Sequence, residues 1–130
     1  MKQIKVIVER GSDGIYTAVP QHDYSVGFFG SGKTVAQAMD DLRNSYAEAR
    51  EFCPEMDEEV GFDLRYDTAS FLQYYGRKLT LTGLESITGI NYKQLNHYVT
   101  GRSKPSVRTK KRLEEGVKRF AQELSEIQFL

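Results

Sequence analysis

At 130 residues and 28% charged, with a mean hydropathy of −0.53, the chain has room for one domain or two very small ones, and a full P-loop NTPase domain would be cramped in it. No run approaches the ~18 apolar residues of a membrane helix, and Lys2, Lys5, Glu9 and Arg10 interrupt any signal-peptide core, so a cytoplasmic location is expected. The formal net charge of zero argues against a nucleic-acid binder, but residues 1–76 hold 7 Lys+Arg against 13 Asp+Glu (−6), whereas residues 77–130 hold 11 against 5 (+6). Two regions with different partners are expected.

In "IKVIVER", Ile4, Val6 and Val8 alternate with Lys5, Ile7 and Glu9, and "GSDG" then separates this run from "IYTAVP". A β-hairpin with a four-residue loop follows from that pattern. "YSVGFFG" reads as a third strand. Thr34 with Gln37 gives a capping-box start to an amphipathic helix whose apolar face is Val35, Ala38, Met39, Leu42, Tyr46 and Ala49, closed by Pro54. After the acidic loop "EMDEEV", Phe62, Leu64 and Tyr66 alternate with Asp63, Arg65 and Asp67 as a fourth strand. The expected order is β-β-β-α-β over residues 1–67.

Within this region "GFFGSGKT", Gly27 to Thr34, matches the phosphate-cradling pattern G-x-x-x-x-G-K-[ST] in every letter. A phosphate loop also needs an apolar strand running into its first glycine, a parallel sheet around it and a downstream carboxylate for Mg²⁺. The preceding "PQHDYSV" is turn-rich and only one helix is available. The expectation is therefore a strand–turn–helix corner, with Gly30 and Gly32 making the turn, Lys33 outside the helix and Thr34 capping it. A small P-loop ATPase is the weaker alternative.

Glu9, Asp13, Asp63 and Asp67 fall near strand ends, where a metal nuclease could gather ligands, but they read as solubilising edge charges. Cys53 is alone beside Pro54, which rules out an internal disulfide and a cysteine zinc site. His22 and His97 are too isolated to bind metal. No catalytic residue, cofactor or metal is expected.

From Asp67 the composition changes. "TASFLQYYG" carries no charge and places Phe71, Leu72 and Tyr75 at helical spacing, ending on Gly76 as a C-cap. Next, Thr80 can cap a helix over Leu81–Thr88, Gly89 supplies a turn above Ile90, and Asn91 can cap a second helix over Tyr92–Val99. Leu84, Ile87 and Ile90 would then face Leu95, Tyr98 and Val99. That is a helix-turn-helix layout in an all-α domain over residues 68–130.

This packing leaves Asn91, Tyr92, Lys93, Gln94, Asn96 and His97 as candidate base readers, because Asn and Gln pair with adenine in the major groove and Lys with guanine. Thr80, Arg102, Lys104, Lys110 and Lys111 are the candidate phosphate contacts. Between Arg77 and Leu113 there are nine Lys+Arg and one acid, Glu85, a concentrated positive footprint. After Pro105, Ser106 can cap a long helix in which Leu113, Val117, Phe120, Leu124 and Ile127 recur at spacings of four and three. Such a seam packs on the preceding helices, on a second copy of the chain, or on both. A homodimer would set two reading helices roughly 34 Å apart, one DNA turn.

The strands and helix "IKVIVERGSDGIYTAVPQ", "VGFFGSGKTVAQAMDDLRNSYAEARE" and "FDLRY" resemble the β-β-β-α-β module of the HicB family of antitoxins, a partial ribonuclease-H-like fold. "TGLESITGINYKQLNHYVTGRSKPS" is similar to repressor-type helix-turn-helix segments, with Gly89, Leu95, Tyr98, Gly101 and Pro105 at the matching points. The resemblance implies an antitoxin. Its first module would sequester a small HicA-type mRNA-cleaving toxin, and its second would bind the operator of its own gene pair as a homodimer or higher oligomer. Ribonuclease-H-like enzymes place an aspartate within the first strand, where "IKVIVER" has none. A second departure is Glu85, where repressor-type motifs hold a small residue; either it points outward with a slight shift or the helices are set wider. The remaining alternative is a ligand-sensing or prophage-type repressor unrelated to a toxin.

Overall fold

Alternating apolar residues place β1 (Lys2–Arg10) with Ile4, Val6 and Val8 buried on one face and Lys5 and Glu9 exposed on the other. The computed structural model describes residues 1–130, which divide into two compact units, Met1–Asp67 and Thr68–Leu130. The architecture is mixed α+β: one four-stranded mixed sheet and five helices. No helix is long and apolar enough to cross a membrane.

In unit 1, β1 turns into β2 (Tyr16–Pro20) through a connection in which Asp13 Oδ1 accepts the Ile15 amide at 2.9 Å and Gly14 takes φ 82°. The strands pair antiparallel, Val6 opposite Pro20 and Arg10 opposite Tyr16. β3 (Gly30–Gly32) adds antiparallel to β2, and β4 (Val60–Tyr66) lies parallel to β1 with Ile4 opposite Phe62 and Val8 opposite Tyr66. The sheet order is β3-β2-β1-β4. Between β3 and β4, helix α1 (Val35–Arg50) buries Ala38, Met39, Leu42 and Tyr46.

The third strand differs from the sequence expectation. Residues 24–29 are irregular, and pairing begins only at Gly30. Gly30 and Gly32 are not turn residues: a Cβ on Gly30 would strike Ala38 O and lie 2.8 Å from Leu42 Cα, and one on Gly32 would lie 2.6 Å from Gln37 Cβ. The glycines let β3 lie directly on the α1 backbone. Phe28, buried just before them, packs its ring 5.3 Å from Tyr46 and 6.5 Å from Phe62, closing the core over the β4 side.

Beyond α1 the chain turns back through buried Cys53 and Met56, and Arg50 donates to the carbonyls of Met56 (3.0 Å) and Asp57 (3.1 Å). Glu55 accepts from the Ser25 amide and hydroxyl, both at 2.6 Å, and from the Cys53 thiol at 3.2 Å. These bonds to Ser25, and then the thiol, hold the Glu55 carboxyl down to about 2 from its ordinary 4.5.

Unit 2 is helical: α2 (Thr68–Leu79), α3 (Leu81–Thr88), α4 (Tyr92–Val99) and α5 (Val107–Ser125). Its core is Leu72, Leu84, Ile90, Leu95, Tyr98 and Leu113. Gly76 does not end α2 as expected; the helix continues to Leu79, which packs on the core, and the break falls at Thr80 with φ 57°. Gly76 instead gives room to Leu81, whose Cδ2 would be 3.2 Å from an added Cβ.

Candidate functional site

The α3–α4 pair is set by side chains that satisfy helix-end backbone groups. Thr80 Oγ1 accepts the Gly83 amide at 3.0 Å to start α3, and Gly89, left-handed at φ 75°, ends it by donating to Glu85 O at 2.7 Å. Thr88, buried, donates its hydroxyl to Leu84 O and accepts the Ile90 amide at 3.1 Å, which seats Ile90 in the core. Asn91 Oδ1 then accepts the Lys93 amide at 2.8 Å and opens α4.

Glu85, the departure noted in the sequence, takes part in the turn between α3 and α4. Its Oε1 accepts the Tyr92 amide at 2.7 Å, so the carboxylate reaches across the turn and caps the positive end of α4. Arg112 of α5 donates to Gly89 O at 3.1 Å from the other side, and Gln73 of α2 donates to Val99 O at 3.1 Å at the far end of α4. The helix is pinned at both ends. Gly116 of α5 lies against Thr88, whose Cα would be 3.0 Å from an added Cβ, so α5 seats tightly on the turn.

On the outer side of α4, Tyr92, Lys93, Gln94 and Asn96 are exposed and His97 is half-buried. Lys93 and Asn96 make no side-chain hydrogen bond within the chain, whereas Gln94 donates its amide to Tyr98 Oη at 3.0 Å. Asn91 and Thr80 stand at the same surface with their side-chain oxygens committed as caps. Past α4, Gly101 turns at φ 76° and exposes Arg102 and Lys104. Lys110 and Lys111 are exposed on α5, about 100° apart around the helix. Lys78 lies 4.7 Å from the Tyr74 ring centroid, and the hydrogen bond with Tyr74 holds its ammonium above the ordinary value.

The seam expected on α5 divides. Leu113 is buried and Val117 packs on the core; Phe120 is half-buried; Leu124 is exposed, and Ile127 lies beyond the helix end at Ser125.

In unit 1, two backbone amides of the segment matching a phosphate loop, those of Ser31 and Lys33, are already bonded to side chains of α1, and Thr34 caps the helix. Ser31 N donates to Asp41 Oδ2 at 2.9 Å, Lys33 N to Gln37 Oε1 at 3.0 Å, and Gln37 N to Thr34 Oγ1 at 3.1 Å. An aspartate at the Ser31 amide also sets negative charge where phosphate would have to sit. No three His, Cys, Asp or Glu side chains gather to hold a metal ion; His22 Nδ1 accepts the Tyr24 amide and its ring stacks on Phe28 at 4.6 Å.

Sequence reasoning missed a groove of about 480 Å³ between the 26–29 loop and α1. Phe29 (59% exposed) and Phe52 (81%) stand in it beside Asp41, Ser45 and Glu48. The spacing Asp41–Ser45–Glu48 along α1 was the available signal, being one polar face of the helix. No family model, curated protein or solved structure matches this chain.

Proposed function

We propose that the chain is a HicB-type antitoxin: unit 2 binds the operator of its gene pair through a helix-turn-helix formed by α3 and α4, and unit 1 sequesters a small, basic, HicA-like mRNA-cleaving toxin. The observation that carries the DNA half is α4, pinned at both ends, with Lys93 and Asn96 exposed together in the half of the chain whose charge is +6. A rigid helix presenting a lysine and an asparagine suits base edges in the major groove, and exposed Arg102 and Lys104 suit the flanking phosphates. Binding to two half-sites needs a second copy of the chain.

The toxin half rests on the resemblance of residues 1–67 to the HicB module, on the −6 charge of that half, and on the acidic, phenylalanine-bearing groove beside α1. In this reading the chain performs no catalysis and needs neither metal nor cofactor. Co-purification with the product of the neighbouring gene, followed by operator binding, tests both halves. A small basic partner should be retained, and its RNA cleavage should stop on addition of this chain. Failure to retain such a partner while operator DNA still binds would remove the toxin half. Lys93→Ala and Asn96→Ala should each weaken operator affinity by ~1–3 kcal/mol with altered base preference, and Lys104→Ala should act evenly across sequences. Equal, sequence-independent losses for all three would remove α4 as the reading helix.

The same groove supports a second reading, a repressor whose first unit senses a small ligand. Operator affinity that responds to a small amphipathic molecule, and no longer does so in Phe29→Ser, would favour it over the toxin.

A further inference from the structure

Two phenylalanines of unit 1 stand apart from its aromatic core. His22, Phe28, Tyr46 and Phe62 form a chain of ring contacts, with centroids 4.6 to 6.5 Å apart. Phe29 and Phe52 meet no other ring, and both line the groove beside α1. Asp41, Ser45 and Glu48 line it as well, recurring every three or four residues along one face of that helix. Exposed rings gathered in one recess, unlike scattered ones, mark a binding surface.

The charges in the groove indicate what occupies it. No Lys or Arg lines it, and two carboxylates are its only charged groups. Asp41 is held at the Ser31 amide at 2.9 Å, whereas Glu48 makes no side-chain hydrogen bond or ion pair within the chain. The cations of α1 are turned to other partners: Arg43 pairs with Asp40 at 3.0 Å, and Arg50 donates to the carbonyls of Met56 and Asp57. An apolar occupant would cover Glu48 and leave its charge without a partner, a cost that a cation removes. Among cations, a guanidinium is planar and weakly hydrated, stacks on rings and pairs with a carboxylate through two N–H groups, whereas an ammonium holds its water.

We infer that the groove is the docking site for an arginine side chain of a basic protein partner. Its guanidinium pairs with Glu48, and Phe29 and Phe52 cover its planar faces and aliphatic stem. Asp41 adds to the negative potential, and Ser45, half-buried with no side-chain hydrogen bond of its own, can accept a further N–H. A volume of about 480 Å³ lies within the range of ligand pockets, so the arginine enters together with an apolar neighbour. The inference rests on the reading of unit 1 as the module that binds a basic protein, and adds which side chain is gripped and by what.

Backbone amide shifts of the full chain, titrated with acetyl-Leu-Arg-Leu-amide to about 50 mM, test the site. The amides of Phe29, Ser45, Glu48 and Phe52 should move and saturate. The citrulline analogue, similar in shape but uncharged, should bind at least ~10-fold more weakly, and the lysine analogue ~3–10-fold more weakly. Glu48→Gln should weaken the arginine peptide ~10-fold and remove its advantage over citrulline, and Phe52→Ala should weaken it ~3–10-fold. Both side chains are exposed, so circular dichroism should report an unchanged fold. Absence of a saturable shift, shifts centred away from the groove, or a Glu48→Gln chain that binds as tightly would overturn the inference. Equal affinity for the citrulline analogue would do so too, leaving a groove for a small amphipathic molecule, and equal affinity for the lysine analogue would remove the guanidinium. The titration needs no toxin. Arginine-selective binding by a chain that retains no basic partner would support the site and remove only the toxin, whereas a chain that retains such a partner but ignores the peptide would lose this inference alone.

Discussion

The two units are nearly equal in length and are held together in opposite ways. Unit 1 joins residues far apart in the chain: β1 pairs along its length with β4, and its single helix is pressed so closely on β3 that only glycine fits at position 30. Unit 2 joins neighbours, its four helices meeting through short turns whose backbone groups are capped by nearby side chains. The charges are opposed as well, −6 and +6. The tightest backbone clearance lies in the first unit, at Gly30, and the two units have separate cores, so their responses to substitution should be separable.

The largest effect is expected from Gly30→Ala. The new methyl would collide with the carbonyl of Ala38 and the backbone of Leu42, neither of which can swing aside. A loss of about 4 kcal/mol or more, beyond the usual overpacking range, should unfold unit 1 while leaving the unit 2 transition in place. Denaturant unfolding with one fluorescent probe in each unit measures it, and a normal unit 1 transition would show that β3 and α1 can separate. Leu95→Ala is the counterpart in unit 2. Leu95 is wholly buried, and its truncation should cost about 3 kcal/mol in that unit only. Simultaneous loss of both transitions would mean that the units fold as one.

Glu85→Ala should cost about 1 kcal/mol, the ordinary worth of a helix N-cap, because Tyr92 N loses its carboxylate. Its amide should exchange hydrogen faster, and protection equal to that of the native chain would show that Asn91 alone caps α4. The smallest effect is a pH response confined to unit 1. Glu55 has a depressed pKa, so its tie to Ser25 favours the folded state fully above about 4.5 and is lost as the pH falls through about 2. The Ser25 amide resonance should titrate near 2; a midpoint at 4.5 would mean that the tie is absent in solution.

Much of unit 2 was legible because its determinants are local. Thr80, Gly89, Asn91 and Ser106 delimit helices at the residues where the sequence placed them, since a cap acts within three or four residues of itself. The exposure of Lys93 and Asn96 follows from the same periodicity. Glu85 was misleading because its partner, the Tyr92 amide, lies seven residues on across a turn. In unit 1 the alternation of β1 and the Thr34 start of α1 were equally plain, but the third strand was placed too early. The apolar residues Val26, Phe28 and Phe29 imitate strand composition, and Phe28 serves an aromatic contact with Tyr46 instead.

Strand and helix periods and caps depend on residue types within a few positions of one another, and the charge division is a plain sum along the chain, so all of these were readable in the linear text. What remained depended on contacts between residues far apart in the chain. Tertiary structure turned the glycines of "GFFGSGKT" from a corner into a clearance for helix against strand, and committed the nearby amides to Asp41 and Gln37. It also carried α2 past Gly76 to bury Leu79, and split the apolar row of α5 into a buried half and an exposed one. The physical reason is the same in each case: whether a glycine marks a turn, or a leucine lies in the core, is settled by what stands opposite it in space.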